Sequence, residues 1–244
     1  MKRLSVALLA LAMFAWGLAT GFYHVFPYEP IRALKNRAEG DDPNAPRPVW
    51  TNPDAFTVAD ADLILDTPAD VVMLGDSVTA GGRWHEMFPD VRIVNRGVGG
   101  DTVTGVLRRA PRIAAMRPKA VFVMIGINDV VSGNSAQVVL DRYAAAIRIL
   151  RRSGAQVYVQ SVLACGARCD DEQRARVAAI DAALPALAAR YGAAWIDLNT
   201  RLGDGKTLRP GMSWDGIHLT GAGYAAWRDA LRPAVAKYAR SGPS

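Results

Sequence analysis

Short apolar runs alternate with longer amphipathic stretches from about residue 69 to the C-terminus. Short runs rich in β-branched and aromatic side chains are typical of buried strands. Such runs occur at residues 71–74, 92–95, 120–126, 156–162 and 194–198. Apolar residues near the helical period predict helices over residues 135–152, 174–191 and 223–238. Strands alternating with helices favour a parallel sheet that is covered by helices on both faces.

The first 26 residues have the pattern of an export signal. Met1-Lys2-Arg3 precedes an almost uninterrupted apolar run over residues 4–26, which is longer than the apolar region of a usual signal peptide. A helix of that length can cross a hydrocarbon core about 30 Å thick. We therefore expect residues 1–26 to be an uncleaved signal anchor, with a cleaved signal peptide as the alternative. The protein is then exported, either membrane-anchored and facing the periplasm or cell exterior, or secreted.

The length and composition of the chain indicate one folded domain after the N-terminal segment. The protein has 244 residues, of which 50% are hydrophobic and 21% are charged. These values fit a globular protein and exclude a wholly disordered one. Residues 27–68, rich in Pro, Asp, Asn and Arg, are interpreted as a tether and lead-in segment, and residues 69–240 as the domain. The net charge of +6 is dispersed and no nucleic-acid motif accompanies it, so no nucleic-acid partner is expected.

Cys165 and Cys169 are the only two cysteines. Export would place them in an oxidising compartment, where a disulfide closing a small loop is favoured. Two separate thiols are the alternative. No second Cys or His pair completes a zinc site, and we expect neither a metal nor a cofactor.

Residues that could take part in catalysis follow three of the predicted strands. Ser77 stands in Gly75-Asp76-Ser77 after the first strand, Gly100 follows the second, and Asn128 follows the third. Active sites of parallel α/β folds gather at the carboxyl ends of the strands. Asp215 and His218 lie near the C-terminus in an Asp-x-x-His sequence.

These residue types complement one another chemically. A serine hydroxyl needs an adjacent base to become a nucleophile, and His218 suits that task because imidazole titrates near neutrality. Asp215, three residues earlier, can fix its tautomer. An oxyanion needs hydrogen-bond donors, for which the Ser77 and Gly100 backbone N–H groups and the Asn128 side chain are the candidates.

In this order and spacing, the sequence resembles the SGNH, or GDSL-like, hydrolases. The blocks are Gly75-Asp76-Ser77, Gly100, Gly126-Ile127-Asn128-Asp129 and Asp215-Gly216-Ile217-His218, and the resemblance covers about residues 69–240. Residues 95–102, with Arg108 or Arg109 beyond, look most like the platelet-activating-factor acetylhydrolase and acetylesterase branch. The family implies a three-layer α/β/α sandwich of flavodoxin-like type and ester hydrolysis without a metal. It also assigns Ser77 as nucleophile, His218 as base, Asp215 as orienting acid, and Gly100 with Asn128 to the oxyanion hole.

Other residues have plainer interpretations. Asp76 is expected to support its turn, and Asp129 to be structural. Trp84 and Trp214 either wall the site or pack in the core. His85 could line the pocket, although its neighbour Glu86 would point elsewhere on a helix. Gly97-Val98-Gly99 lacks the third glycine of a dinucleotide fingerprint, and no Gly-x-Ser-x-Gly elbow surrounds the serine.

The sequence therefore predicts an exported serine esterase for short acyl groups, with acetyl favoured. Its substrate would be a small-molecule or glycan ester: a cell-envelope glycan would fit the location, and the resemblance also implies a lysophospholipid. One alternative is an O-acyltransferase that uses the same triad on a cell-envelope glycan, which exclusion of water near Trp84 and Trp214 would favour. The other is a non-catalytic glycan-binding module that kept the fold.

Overall fold

A computed structural model describes residues 68–166, 168–204 and 207–240. Five strands in these residues form one sheet, in the order β2-β1-β3-β4-β5, with every neighbouring pair parallel. The strands are β1 (Val71–Gly75), β2 (Ile93–Gly97), β3 (Ala120–Met124), β4 (Gln156–Gln160) and β5 (Ala194–Ile196). The predicted five-stranded α/β fold is confirmed, and the sheet is wholly parallel.

Helices connect the strands and follow the last one. They are α1 (Ser77–Ala80), α2 (Trp84–Met87), α3 (Val103–Ala115), α4 (Ile127–Val131), α5 (Ala136–Arg152), α6 (Asp171–Arg190), α7 (Asn199–Leu202) and α8 (Gly221–Val235), which continues as a 3-10 turn over Ala236–Tyr238. The predicted helices correspond to α5, α6 and α8. Helices α6 and α8 begin earlier than the apolar pattern indicates, because Asp170 and Thr220 cap their first turns.

Side chains of successive strand residues enter two separate cores. Val72 and Leu74 of β1 pack with residues of α3, α5 and α6, whereas Val71 and Met73 pack with α2 and α8. This alternation follows from the two-residue period of a strand. The sheet is therefore the middle layer of an α/β/α sandwich.

Helix α3 is the long helix that the sequence pattern did not predict. Its buried residues Val103, Val106, Ala110 and Ile113 recur at helical spacing, and Thr102 caps its first turn by accepting a hydrogen bond from the Gly105 N–H. Pro111 lies inside the helix.

The predicted anchor and most of the tether, residues 1–67, lie outside the described residues. Within residues 68–166, 168–204 and 207–240, no helix is both long and apolar enough to cross a bilayer.

Candidate active site

The central strands bring the predicted site residues to one edge of the sheet. Gly75 at the end of β1 is in register with Gly97 of β2 on one side and Met124 of β3 on the other. The loops carrying Ser77, Gly100 and Asn128 therefore leave the sheet side by side. Because the chain winds in opposite directions from β1 and β3, this edge is a topological switch point, where α/β folds place their ligands.

Ser77, His218 and Asp215 form one continuous chain of hydrogen bonds. Ser77 Oγ lies 3.0 Å from His218 Nε2, and His218 Nδ1 lies 2.8 Å from Asp215 Oδ2. An ionised carboxylate only accepts hydrogen bonds, so Nδ1 carries the ring proton and Nε2 is left to accept from the serine hydroxyl. The structure thus brings together the three residues that the sequence singled out.

Three hydrogen-bond donors and one guanidinium converge on the carboxylate of Asp215. Oδ1 accepts from the backbone N–H groups of Ile217, at 3.0 Å, and of His218, at 2.7 Å. Oδ2 accepts from the His218 ring and lies 3.1 Å from Arg168 Nη1. Burial alone would raise the pKa of Asp215, but the hydrogen bonds from His218 and Ile217 lower it to about 2. The acid is therefore ionised at neutral pH.

Ser213 fixes the loop that presents the base. Its hydroxyl donates to the backbone carbonyl of His218 at 2.7 Å and accepts from the Gly216 N–H at 2.8 Å. Neither Ser213 nor Arg168 was among the predicted site residues. The position of Ser213 beside the Asp-x-x-His sequence is the one signal that could have drawn attention to it.

The loop after β2 and the residue Asn128 are joined directly. Asn128 Nδ2 donates to the backbone carbonyl of Asp101 at 2.8 Å, which uses one of its two hydrogens and leaves the other for a ligand. Gly100, just before Asp101, has φ of 73°, a conformation that glycine adopts without strain. Gly100 and Asn128 therefore lie on neighbouring, mutually anchored loops.

A buried ion pair lies beneath these loops. Arg109 of α3 pairs with Asp101, and its guanidinium also donates to the Arg96 carbonyl at 2.8 Å and to the Gly75 carbonyl at 3.3 Å. One side chain thus connects the ends of β1 and β2 to the residue that follows Gly100.

Asp76 and Asp129 hold backbone N–H groups at the same edge. Asp76 Oδ1 accepts from the Val78 N–H at 3.0 Å, and Asp129 Oδ2 accepts from the Val103 N–H at 2.8 Å. Burial, helped by the charge of Asp101, raises the pKa of Asp76 to about 7 and that of Asp129 to about 6. The structure therefore agrees with the interpretation of both residues as supports.

The two tryptophans have different surroundings. Trp84 is buried, donates its indole N–H to the Thr79 carbonyl at 2.8 Å, and packs edge-on against Trp227, 4.8 Å between ring centroids. It belongs to the core. Trp214 is 70% exposed and stacks on the imidazole of His218 at 5.5 Å. It covers one face of the base.

His85 and the two cysteines are not members of the triad. His85 is exposed and lies 3.5 Å from its neighbour Glu86. Cys165 and Cys169 form a disulfide bond, and their Cα atoms are 5.9 Å apart. In the part of the chain that the structure describes, no three His, Cys, Asp or Glu side chains are placed to hold a metal ion.

Comparison with known proteins identifies the family. The model of the GDSL-like lipase/acylhydrolase family matches residues 73–226, which include all four sequence blocks. The chain belongs to this family. Platelet-activating factor acetylhydrolase IB subunit alpha2 of Rattus norvegicus is 30% identical over 171 residues, 66% of this chain and 73% of the relative.

Two further comparisons bear on chemistry and fold. An arylesterase of Vibrio mimicus is 27% identical over 107 residues, 38% of this chain and 54% of that protein. A solved GDSL-like lipase from Bacteroides thetaiotaomicron, 21% identical, superposes with a TM-score of 0.64 over 75% of this chain and 97% of that one. The structural likeness concerns the fold alone. The family and the named relatives make this chain a carboxylic-ester hydrolase.

Proposed function

We propose that the chain is an exported serine esterase that hydrolyses short-chain carboxylic esters, acetyl esters above all, through Ser77, His218 and Asp215. The observation that carries the proposal is the unbroken relay from Ser77 Oγ to His218 Nε2, 3.0 Å, and from His218 Nδ1 to Asp215 Oδ2, 2.8 Å. Each group lies at the distance that proton transfer requires.

The reaction proceeds in two halves. Ser77 Oγ attacks the acyl carbonyl while its proton passes to His218 Nε2, and the imidazolium then protonates the departing alcohol. The acyl group stays on Ser77 as an ester. His218 next takes a proton from water as the water attacks this ester. The bond between the acyl carbon and Ser77 Oγ then breaks, the imidazolium returns its proton to Oγ, and the carboxylic acid leaves. Asp215, ionised throughout, stabilises the imidazolium in both halves.

The carbonyl oxygen becomes an oxyanion in each half of the reaction. We assign its stabilisation to the backbone N–H groups of Ser77 and Gly100 and to the second hydrogen of Asn128 Nδ2. The hydrogen bond from Asn128 to the Asp101 carbonyl, 2.8 Å, supports this role because it orients the amide before substrate arrives. Donors that need no reorganisation contribute most to such stabilisation.

Exposure of the base favours hydrolysis over transfer to a sugar. The His218 side chain is 32% exposed, and the tryptophan beside it, Trp214, leaves its outer face in solvent. Trp84, which could have excluded water, is buried in the core instead. Water can therefore reach an acyl group on Ser77. The name of the acetylhydrolase relative, 30% identical, supports acetyl as the acyl group.

The test is ester hydrolysis by the full chain purified in mild detergent. We expect turnover of p-nitrophenyl esters that is fastest for acetate and falls as the acyl chain lengthens. Ser77→Ala and His218→Ala should each lower kcat at least about 10³-fold. Ser132→Ala, at the end of α4, is the matched serine control and should keep full activity. Full activity in either triad variant would refute the mechanism.

Export is supported by Met1-Lys2-Arg3 before the apolar residues 4–26 and by the disulfide between Cys165 and Cys169. A fusion of alkaline phosphatase after residue 68, which is active only outside the cytosol, tests it. We expect phosphatase activity in the fusion and its loss when residues 4–26 are deleted. Equal activity without those residues would contradict export through this segment.

A further inference from the structure

The disulfide loop, closed by the Cys165–Cys169 bond, contacts the loop that carries the triad acid and base. The Gly166 N–H donates to the Gly216 carbonyl at 2.8 Å, and a Cβ on Gly166 would lie only 3.2 Å from Gly216 Cα. Arg174 of α6 donates to the carbonyl of Cys169 and, at 3.3 Å, to that of Gly166. The disulfide loop is therefore held between helix α6 and the active site.

One side chain from this loop reaches the triad. Arg168 Nη1 lies 3.1 Å from Asp215 Oδ2, the same oxygen that binds the imidazole of His218. Two backbone donors on Oδ1 and the imidazole on Oδ2 already hold the carboxylate of Asp215, and the guanidinium adds an ion pair at Oδ2. Contacts on both oxygens oppose rotation of the carboxylate away from the base.

We propose that Arg168 is a positioning residue for Asp215, and that the Cys165–Cys169 disulfide holds it in that place. The inference rests on the triad assigned under the proposed function. Arg168 touches the acid and not the reacting atoms, so it acts on proton transfer through the orientation of Asp215. A residue with this role changes kcat and leaves KM almost unaltered, because substrate binding does not involve it.

The first experiment measures p-nitrophenyl acetate hydrolysis by Arg168→Gln and Arg168→Lys on the plateau of the pH–rate profile. The guanidinium is 58% exposed, so its pairing is modest in strength, and we expect Arg168→Gln to lower kcat about fivefold with KM unchanged. Arg168→Lys keeps the positive charge and should recover at least half of the loss. Arg232→Gln is the matched control, because that arginine is 63% exposed and pairs with Asp229 at the same 3.1 Å.

The second experiment removes the disulfide with and without Arg168. If the disulfide acts by holding Arg168, Cys165→Ala/Cys169→Ala should lower kcat about as much as Arg168→Gln does. The triple variant should then be no slower than Arg168→Gln alone, since the two changes remove one interaction. Both cysteines are buried, so the melting temperature of each variant is measured alongside.

The outcomes separate this proposal from the proposed function. Unchanged kcat in Arg168→Gln, or independent losses from the disulfide and the arginine, would overturn the positioning role while leaving the esterase intact. A rise in KM without a fall in kcat would also overturn it, because it would make Arg168 a substrate contact. Absence of serine-dependent turnover in the folded wild type would overturn both proposals together. The expected pattern is a fivefold fall in kcat, rescue by lysine, and no further loss in the triple variant.

Discussion

Replacing Arg109 with methionine should cost more stability than almost any surface substitution, although it lies outside the triad. Arg109 is 4% exposed and pairs with Asp101, which is itself buried. Methionine fills similar space but leaves the carboxylate without its cation and removes one hydrogen bond from each of the carbonyls of Arg96 and Gly75, of which the Gly75 carbonyl keeps the Val98 N–H. Breaking one side of a buried ion pair costs about 3–5 kcal/mol. Since folded domains are stable by about 5–15 kcal/mol, the variant should fold but melt early.

Thermal unfolding of the full chain, followed by circular dichroism, measures the effect. For a domain of this size each kcal/mol lowers Tm by about 2–4 °C, so the expected fall is about 6–20 °C. Arg108→Met is the matched control, because Arg108 is the preceding residue of the same helix and is exposed. Its effect should stay within about 0.5 kcal/mol.

A double-mutant cycle separates the ion pair from general disruption. Asp101→Asn keeps an oxygen for the Thr102 N–H, which donates to Asp101 Oδ1 at 2.9 Å, but removes the charge that Arg109 faces. The double variant has neither charge, so its loss should be smaller than the sum of the single losses by about 1–3 kcal/mol. A Tm within about 3 °C of wild type for Arg109→Met, or strict additivity, would refute the reasoning.

Three further predictions follow from the same edge of the sheet. Asn128→Ala should lower kcat for acetate esters about 10²–10³-fold without raising KM. A rise in KM by the same factor, with kcat unchanged, would contradict an oxyanion role. Asp76→Asn should make the pH dependence of Tm shallower, because burial raises the pKa of Asp76 to about 7, above the ordinary 3.8, while Asp129, with a pKa of about 6, still titrates. The contribution of Asp76 to folding stability is full below pH 4 and is lost as pH rises through 7, so a wild-type Tm that is flat between these values would contradict the prediction. Gly126→Ala should lower the free energy of unfolding by about 1–3 kcal/mol, because Gly126 has φ of 135° and an added Cβ would lie 2.9 Å from Val162. Thermal melts measure this, and an unchanged Tm would show that the loop relaxes freely.

The order of strands and helices was predictable because each strand is a short apolar run and each long helix an amphipathic one. The positions at which the strands end could not be predicted from the sequence. The predicted runs continue to Gly126, Val162 and Leu198, whereas β3, β4 and β5 each end two residues earlier. The side chains of Ile125, Val162 and Leu198, beyond the strand ends, are fully buried. Loop residues at the active edge are thus as apolar as the strands themselves, so hydrophobicity alone cannot mark where pairing stops.

The triad could be predicted because each member lies in a short local motif, and proximity in the fold follows from the sheet. Arg168 could not, since it meets Asp215 only through the disulfide loop, 47 residues away along the sequence. The tryptophans show the same limit. The sequence does not distinguish Trp84 from Trp214. Trp84 is a core residue only because of the helices that pack around it.

Aspartates recur at the start of the active-edge loops because a carboxylate only accepts hydrogen bonds. Asp76, Asp101, Asp129 and Asp215 each accept from a backbone N–H one to three residues away or, for Asp129, from the start of α3. An asparagine could present its amide hydrogens to those donors and be repelled, whereas a carboxylate has no such wrong orientation. The disadvantage is burial of several like charges near one another, which raises the pKa of Asp76, Asp101 and Asp129. Arg109 pairs with Asp101, and Arg142 lies 3.9 Å from Asp129, so part of that cost is offset by fixed cations.

The distribution of these charges has a consequence for the catalytic groups. Asp215, the carboxylate that contacts the base, has a pKa lowered to about 2, whereas the three deeper carboxylates have raised values. Protonation between pH 4 and 7 therefore affects the supports before it affects the acid of the triad. The supports hold the loops that carry Gly100 and Asn128, so mild acid should act on oxyanion stabilisation as well as on the imidazole. An acidic limb in kcat steeper than one proton can produce, made shallower by Asp76→Asn, would be the kinetic mark of that coupling.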